Sequence, residues 1–373
     1  MRVGLNLAYL VRDSGGSGTY ARELIPRLLD RGTEVTAWIG STAPADLRDE
    51  PWAPDVRWIR LPVPGIGTPW HLLHELSFIG LDAARRRLDV LHGLANLTPL
   101  TAPGVATVST VLDVIWMHHP EALEPRARIA MRTLVPLVAR SVRRVLAISE
   151  AARDDIAATL RLDPAKFDVA QLGITPPPAA AAPIDEEALR ARLGLDDRPL
   201  VLCVAAKRAH KNLDGLVRAL ARLPEPRPQL VLPGAPNAYE DELRALAAQL
   251  GIAGDVRFPG WLSDDDLEGL YALARCFVLP SFQEGFGLPV LEAMARGVPV
   301  ACSAIPALTE VAGPAALAFD PSDVRSIAAA VQRLLVDDRE VARLVAAGHE
   351  RCALFTWERT AELTLQSYRR ALG

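Results

Sequence analysis

Short apolar runs recur along the chain, and most end at glycine, proline or a small polar residue. A strand covered on both faces shows no alternation, so such runs read as buried parallel strands. In the first half they span Arg2–Leu7, Glu34–Ile39, Val56–Leu61, Val90–Gly93, Ala106–Leu112, Val145–Ser149 and Asp168–Leu172. In the second half they span Leu200–Ala205, Gln229–Leu232, Cys276–Pro280 and Val298–Cys302. Between them lie stretches of helical pattern: Tyr20–Leu29, Trp70–Arg87, Pro125–Arg144, Glu150–Leu160, a segment ending at Leu223, Leu267–Ala274, a segment ending near Leu335 and a last one opening at Phe355. Strands alternating with helices predict an α/β protein with parallel sheets.

At 373 residues the chain exceeds one ordinary core, which makes two domains the natural division. Thr175–Pro183 holds four prolines and a run of alanines, so it reads as an extended linker. The expected domains are therefore 1–174 and 186–355, joined by 175–185, with a terminal helix at 356–373.

Composition narrows the function classes. Half the residues are apolar, 23% are charged and the net charge is −4, which gives no support for nucleic-acid binding. Cys203, Cys276, Cys302 and Cys352 are widely spaced, show no ligand spacing with histidine, and read as reduced core residues of a cytoplasmic protein. The first residues, Met1–Leu7, have strand rather than signal-peptide character, and no apolar run reaches the length of a membrane span.

The chemistry concentrates in Glu284–Val300. Strand-like Cys276–Pro280 leads into a glycine-rich loop, Pro289 stands where a helix begins, Gly297 where it stops, and Val298–Cys302 is the next strand. In a parallel sheet such a loop lies at the carboxyl end of its strand, where open α/β sheets bind ligands. Its backbone N–H groups and the helix N-terminus suit an anion. Glu284 and Glu292 frame it, and a carboxylate there is better suited to accepting hydrogen bonds from hydroxyl groups. A ligand with both phosphates and hydroxyls, a nucleotide sugar, fits. A second glycine loop, Asp13–Tyr20, follows the first strand, though its spacing is not that of a dinucleotide fingerprint.

The Glu, seven residues, Glu stretch closely resembles the signature of glycosyltransferase family 4. The resemblance implies a GT-B fold, two Rossmann-like domains facing across a cleft, with the terminal helix crossing back to the first domain. It implies a retaining hexosyltransferase that uses a nucleotide diphosphate sugar, with mannose mildly favoured. Glu284 then contacts the transferred sugar, Glu292 the ribose, and the backbone of Gly285, Phe286, Gly287 and Leu288 the sugar and diphosphate. Gly15, Gly16 and Gly18 present N–H groups to the donor phosphate and acceptor. Lys211, followed by Asn212, meets the diphosphate, while Trp261 and Leu262 line the nucleobase pocket. Asp113 and His119-Pro-Glu121 match a further family pattern and stand as candidate catalytic groups.

Two positions depart from that pattern. Leu112 stands where the family usually carries a histidine beside the sugar: His118 or His119 substitutes, or the usual hydroxyl is missing, or transfer is impaired. Ala206 stands where a basic or small polar residue is common, with Lys207 or Arg208 as possible compensation. These departures keep open a nucleotide-sugar-binding protein with little transferase activity; a second alternative, a GT-B epimerase, keeps the fold and changes the reaction. The donor is GDP- or UDP-linked, and neither cofactor nor metal is expected. Ser263–Asp266 reads as a helix cap rather than a metal site. The Arg-rich 126–144 helix is a candidate for peripheral contact with an anionic membrane, or simply a helix with one solvated face.

Overall fold

The computed structural model describes residues 1–11, 15–61, 72–120, 125–177 and 185–373. Asp13 and Ser14, the proline-rich loop at 62–69, Trp70, Glu121 and the linker centre at 178–184 lie outside the described residues. The chain divides into two compact units, Met1–Gly173 with Phe355–Gly373, and Ile174–Leu354.

Among the described residues the first unit holds seven parallel strands: β1 (Arg2–Leu7), β2 (Glu34–Ile39), β3 (Val56–Arg60), β4 (Val90–Gly93), β5 (Ala106–Val111), β6 (Arg144–Ala147) and β7 (Phe167–Val169). Their order, β3-β2-β1-β4-β5-β6-β7, reverses beside β1, so the crevice at the carboxyl ends of β1 and β4 is a topological switch point. Each apolar run became a strand because helices cover both faces: Val3, Leu5, Leu7, Val90, Leu91, Val108 and Val111 are all fully buried.

Two boundary differences bear on candidate residues. The first helix spans Gly15–Leu29, so Gly15, Gly16 and Gly18 form its opening turn instead of a loop. The Arg-rich helix ends at Ser141, and Arg144 begins β6, where its guanidinium is spent on Asp168 and on the carbonyls of Ala165 and Phe167.

The final helix, Trp357–Leu372, belongs to this first unit. Thr356 caps it, and the chain re-enters so closely that a Cβ on Gly173 would lie 2.2 Å from the Trp357 nitrogen. Trp357 stacks on Tyr20 at 6.4 Å between ring centres. Tyr368 reaches the fully buried His92, whose other ring nitrogen meets Thr110. Near the helix end, Ser367 and Arg370 join Arg144 on the buried Asp168, holding its carboxyl below the usual carboxylate range against the opposing effect of burial.

Among the described residues the second unit holds six parallel strands: β8 (Leu200–Leu202), β9 (Gln229–Val231), β10 (Val256–Arg257), β11 (Ala274–Leu279), β12 (Val300–Ser303) and β13 (Ala316–Phe319). Their order, β10-β9-β8-β11-β12-β13, again reverses, here between β8 and β11. The helix after β10 spans Asp264–Leu273, three residues earlier than its apolar pattern suggests. Ser263 accepts a hydrogen bond from the Asp266 N–H, and three aspartates fill the first turn, where the helix dipole favours them.

Candidate active site

The second unit's switch point is built by the loops leaving β8 and β11. They are stitched together: the Phe282 N–H donates to the His210 carbonyl at 2.8 Å, and the Asn212 side-chain amide donates to the Pro280 and Pro321 carbonyls at 3.0 and 2.8 Å. Asn212 sits in the left-handed region at φ 53°, which asparagine tolerates better than most residues, and it is buried. That turn delivers the preceding residue, Lys211, into the crevice.

Lys211 Nζ donates to Glu284 Oε1 at 2.7 Å, and the two side chains are only 16% and 9% exposed. The Ser281 hydroxyl, itself fully buried, donates to the same oxygen at 2.7 Å. The two residues expected on opposite ends of a donor, Lys211 on its diphosphate and Glu284 on its sugar, are therefore within direct contact of each other. Sequence reasoning missed Ser281, although its Ser-x-x-Glu spacing was visible as a short-range hydrogen-bonding signal.

Gly285, Phe286 and Gly287 follow, all buried, and the helix Leu288–Ala295 begins with Pro289 in its first turn. Gly287 is required: its φ is 102°, and a Cβ there would lie 2.4 Å from Leu308 Cδ2. One turn into this helix stands Glu292, with the Tyr271 hydroxyl donating to it at 3.4 Å. Burial raises the Glu292 carboxyl above its ordinary range, and Arg296 only partly offsets it. Arg296 itself forks onto Glu268 and lies over the Tyr271 ring at 4.8 Å.

Lys207 does not compensate for Ala206. Its ammonium is fully buried, 2.9 Å from Glu240 and donating to the Gly234 carbonyl at 2.6 Å, so it braces the loops after β8 and β9. Arg208 is exposed at the rim. The turns after β9 and β10 are joined by the Gly234 N–H and the Gly260 carbonyl, and beyond them Trp261 is 67% exposed with Leu262 half-buried. Cys203 lies beside the Lys211–Glu284 pair, and burial pushes its thiol up to about 12, so it stays protonated.

In the first unit, Gly15, Gly18 and Thr19 line a cavity of about 130 Å³ together with Leu10, Arg22 and Leu47. Arg22 is already paired with Asp46 and Glu50. Asp113 Oδ1 accepts from the Ile115 N–H at 3.1 Å, an Asx turn just ahead of the short helix Ile115–His118, whose N-cap is Val114. Leu112 is half-buried and its N–H donates to Asn96. His118 is taken by Asp155 at 2.8 Å, while His119 closes the short helix, half-buried. Among the described residues no cluster of three His, Cys, Asp or Glu could hold a metal, and no helix is long and apolar enough to cross a membrane.

Comparison with known proteins bears on this arrangement. Residues 185–351 match the family model for glycosyl transferases group 1, and residues 15–173 match a glycosyl transferase 4-like domain. The MMP alpha-(1->4)-mannosyltransferase of Mycolicibacterium hassiacum is 30% identical over 100% of this chain and 99% of its own length. The O-antigen chain mannosyltransferase B of Escherichia coli is 42% identical, over 45% of each chain. Among solved structures, sucrose-phosphate synthase from Thermosynechococcus elongatus superposes with a TM-score of 0.75 at 24% identity, covering 99% of this chain and 98% of its own. Anabaena HepE, solved with UDP and glucose, gives 0.76 at 19% identity, covering 98% of each. Both structural likenesses concern the fold: two parallel-sheet α/β units of GT-B type.

Proposed function

The chain belongs to the group 1 glycosyl transferases, and on that premise we propose that it moves a hexosyl group from a nucleotide diphosphate sugar to a hydroxyl acceptor with retention at the anomeric carbon. The observation that carries this reading is the Lys211–Glu284 pair, a nearly buried cation and carboxylate beside the Leu288–Ala295 helix N-terminus at the second sheet's switch point. A cation next to a free helix N-terminus suits a diphosphate, and a carboxylate held there suits sugar hydroxyls.

In the proposed reaction the bond between the anomeric carbon and the diphosphate oxygen breaks as the acceptor oxygen bonds to the same face. The acceptor proton passes to the departing phosphate oxygen. The products are a glycoside and a nucleoside diphosphate, and no protein base is required. Charge gathering on the leaving diphosphate is met by Lys211 and by the N–H groups of the glycine loop and helix, the kind of preorganised stabilisation worth about 10²–10³ in rate per donor. This stabilisation calls for neither cofactor nor metal. Glu284 orients the sugar, Glu292 accepts from the ribose hydroxyls, and Trp261 and Leu262 lie against the base. In the first unit, Gly15, Gly16 and Gly18 are the candidates for presenting N–H groups to donor phosphate and acceptor, and Asp113 and His119 the candidate catalytic groups.

Two relatives named as mannosyltransferases make GDP-mannose the first donor to test, with UDP-glucose beside it. Calorimetry should show binding of one of them, and release of nucleoside diphosphate should follow. Glu284→Gln should lower turnover far more than nucleoside diphosphate affinity, whereas Lys211→Ala should lower both. If no nucleotide sugar binds, the donor assignment fails. Binding without turnover on any acceptor would favour the non-catalytic alternative that Leu112 and Ala206 motivate.

The helix Pro125–Ser141 supports a further reading, contact with an anionic membrane. It exposes Ile129 (67%) and Leu137 (47%) among Arg126, Arg132 and Arg140, a face that mixes apolar tips with cations. Sedimentation with phosphatidylglycerol vesicles should capture the protein and phosphatidylcholine vesicles should not. Equal recovery from both would remove the reading.

A further inference from the structure

We propose that Ser281 is the positioning residue that keeps Glu284 aimed at the sugar once the donor draws Lys211 away. The inference rests on the donor assignment made above. Two donors converge on one oxygen of Glu284: Lys211 Nζ and Ser281 Oγ both lie 2.7 Å from Oε1. Among the described residues none donates to Oε2, which leaves that oxygen for a ligand. An ionised carboxylate only accepts, so the serine hydroxyl is the donor.

The two donors differ in what a diphosphate does to them. Lys211 is a cation on a flexible stem, and an arriving diphosphate competes with Glu284 for it. Ser281 is neutral and feels no such pull. Its backbone is also fixed on both sides, by the Asn212 amide on the Pro280 carbonyl and by the Phe282 N–H on the His210 carbonyl. It is fully buried, so water does not replace its hydroxyl cheaply. When Lys211 exchanges partners, Glu284 is left as a nearly buried carboxylate whose remaining donor is Ser281. The geometry therefore makes the Ser281 contact the one of the two that does not depend on where the Lys211 cation is drawn.

The test compares the wild-type chain with Ser281→Ala and Ser281→Thr, using GDP-mannose and UDP-glucose as donors and GDP and UDP as binding probes. For Ser281→Ala, kcat for donor hydrolysis and for transfer should fall about 10- to 100-fold, the range of a lost hydrogen bond to a charged group, while nucleoside diphosphate Kd changes less than about threefold. Ser281→Thr, which keeps the hydroxyl, should recover most of kcat. A thermal upshift with the nucleoside diphosphate shows that each variant still folds its donor site. Wild-type kcat in Ser281→Ala overturns the proposal, as does an equal loss of kcat and diphosphate affinity, which would mean that Ser281 merely supports the loop. If the wild-type chain binds neither donor nor either diphosphate, the function proposed above falls first and this inference with it.

Discussion

His92 should make the first unit acid-labile in a way that one substitution can isolate. Its ring is fully buried between Tyr368 on the final helix and Thr110 on β5, at 2.8 and 2.7 Å. Burial lowers its pKa from 6.5 to about 3. Above the unfolded value both states are neutral and the group contributes nothing to the pH dependence. As pH falls below it, the unfolded chain takes up a proton that the folded core refuses, so stability is lost progressively down to the folded value. About pH 5 lies roughly 1.5 pH units below the unfolded value, where the unfolded imidazole is almost fully protonated and the folded one is not, a loss of about 2 kcal/mol relative to pH 7.

The perturbation is His92→Gln, which retains hydrogen-bonding atoms but does not titrate. It should be less stable than wild type near neutrality, by about 1–3 kcal/mol for imperfectly replaced hydrogen bonds. Its further loss between about pH 7 and pH 5 should be smaller than that of wild type by about 2 kcal/mol. Urea unfolding followed by tryptophan fluorescence is the assay, because six of the seven tryptophans, all but Trp261, fall within the first unit's sequence. Carboxylates titrate alike in both proteins and cancel in the difference. Equal losses in the two proteins would refute the claim that a buried neutral imidazole joins the final helix to the sheet.

The donor site yields further expectations. Because burial raises the Glu292 carboxyl, nucleoside diphosphate affinity should begin to fall on the acid side at a higher pH than an ordinary carboxylate would dictate. Tyr271→Phe removes a donor to the charged form and should move that limb higher still, and calorimetry across pH that finds no such movement would dismiss Glu292 as the ribose acceptor. Gly287→Ala should lower the second unit's melting temperature through a loss of about 1–3 kcal/mol, since it combines a positive φ with a Cβ 2.4 Å from Leu308. Unchanged melting would show that the loop shifts freely.

The parts of this molecule legible in the sequence are those set by neighbours along the chain. β1, β2 and β4 coincide with their apolar runs, because a strand buried on both faces must be apolar throughout. Ser263 marks a helix start because a cap acts over three residues. The positions of Glu284 ahead of its helix and Glu292 within it are legible because Pro289 and Gly297 bracket that helix locally. β13, with its alanines and its partly exposed edge, carried no such mark.

What could not be read is which distant residues meet. Residues 207–211 offer three cations, Lys207, Arg208 and Lys211, and only the family resemblance singles out Lys211 among them. The order of strands supplies the physical reason. β9 lies on one side of β8, and the helix Ala238–Gln249 that follows β9 brings Glu240 onto Lys207 and removes it from ligand chemistry. β11 lies on the other side, and its loop brings Glu284 onto Lys211, 73 positions away. The switch point thus sorts one run of basic residues into a brace and a working group. Exchanging their roles would require exchanging the neighbours of β8, which no local substitution in the run can do.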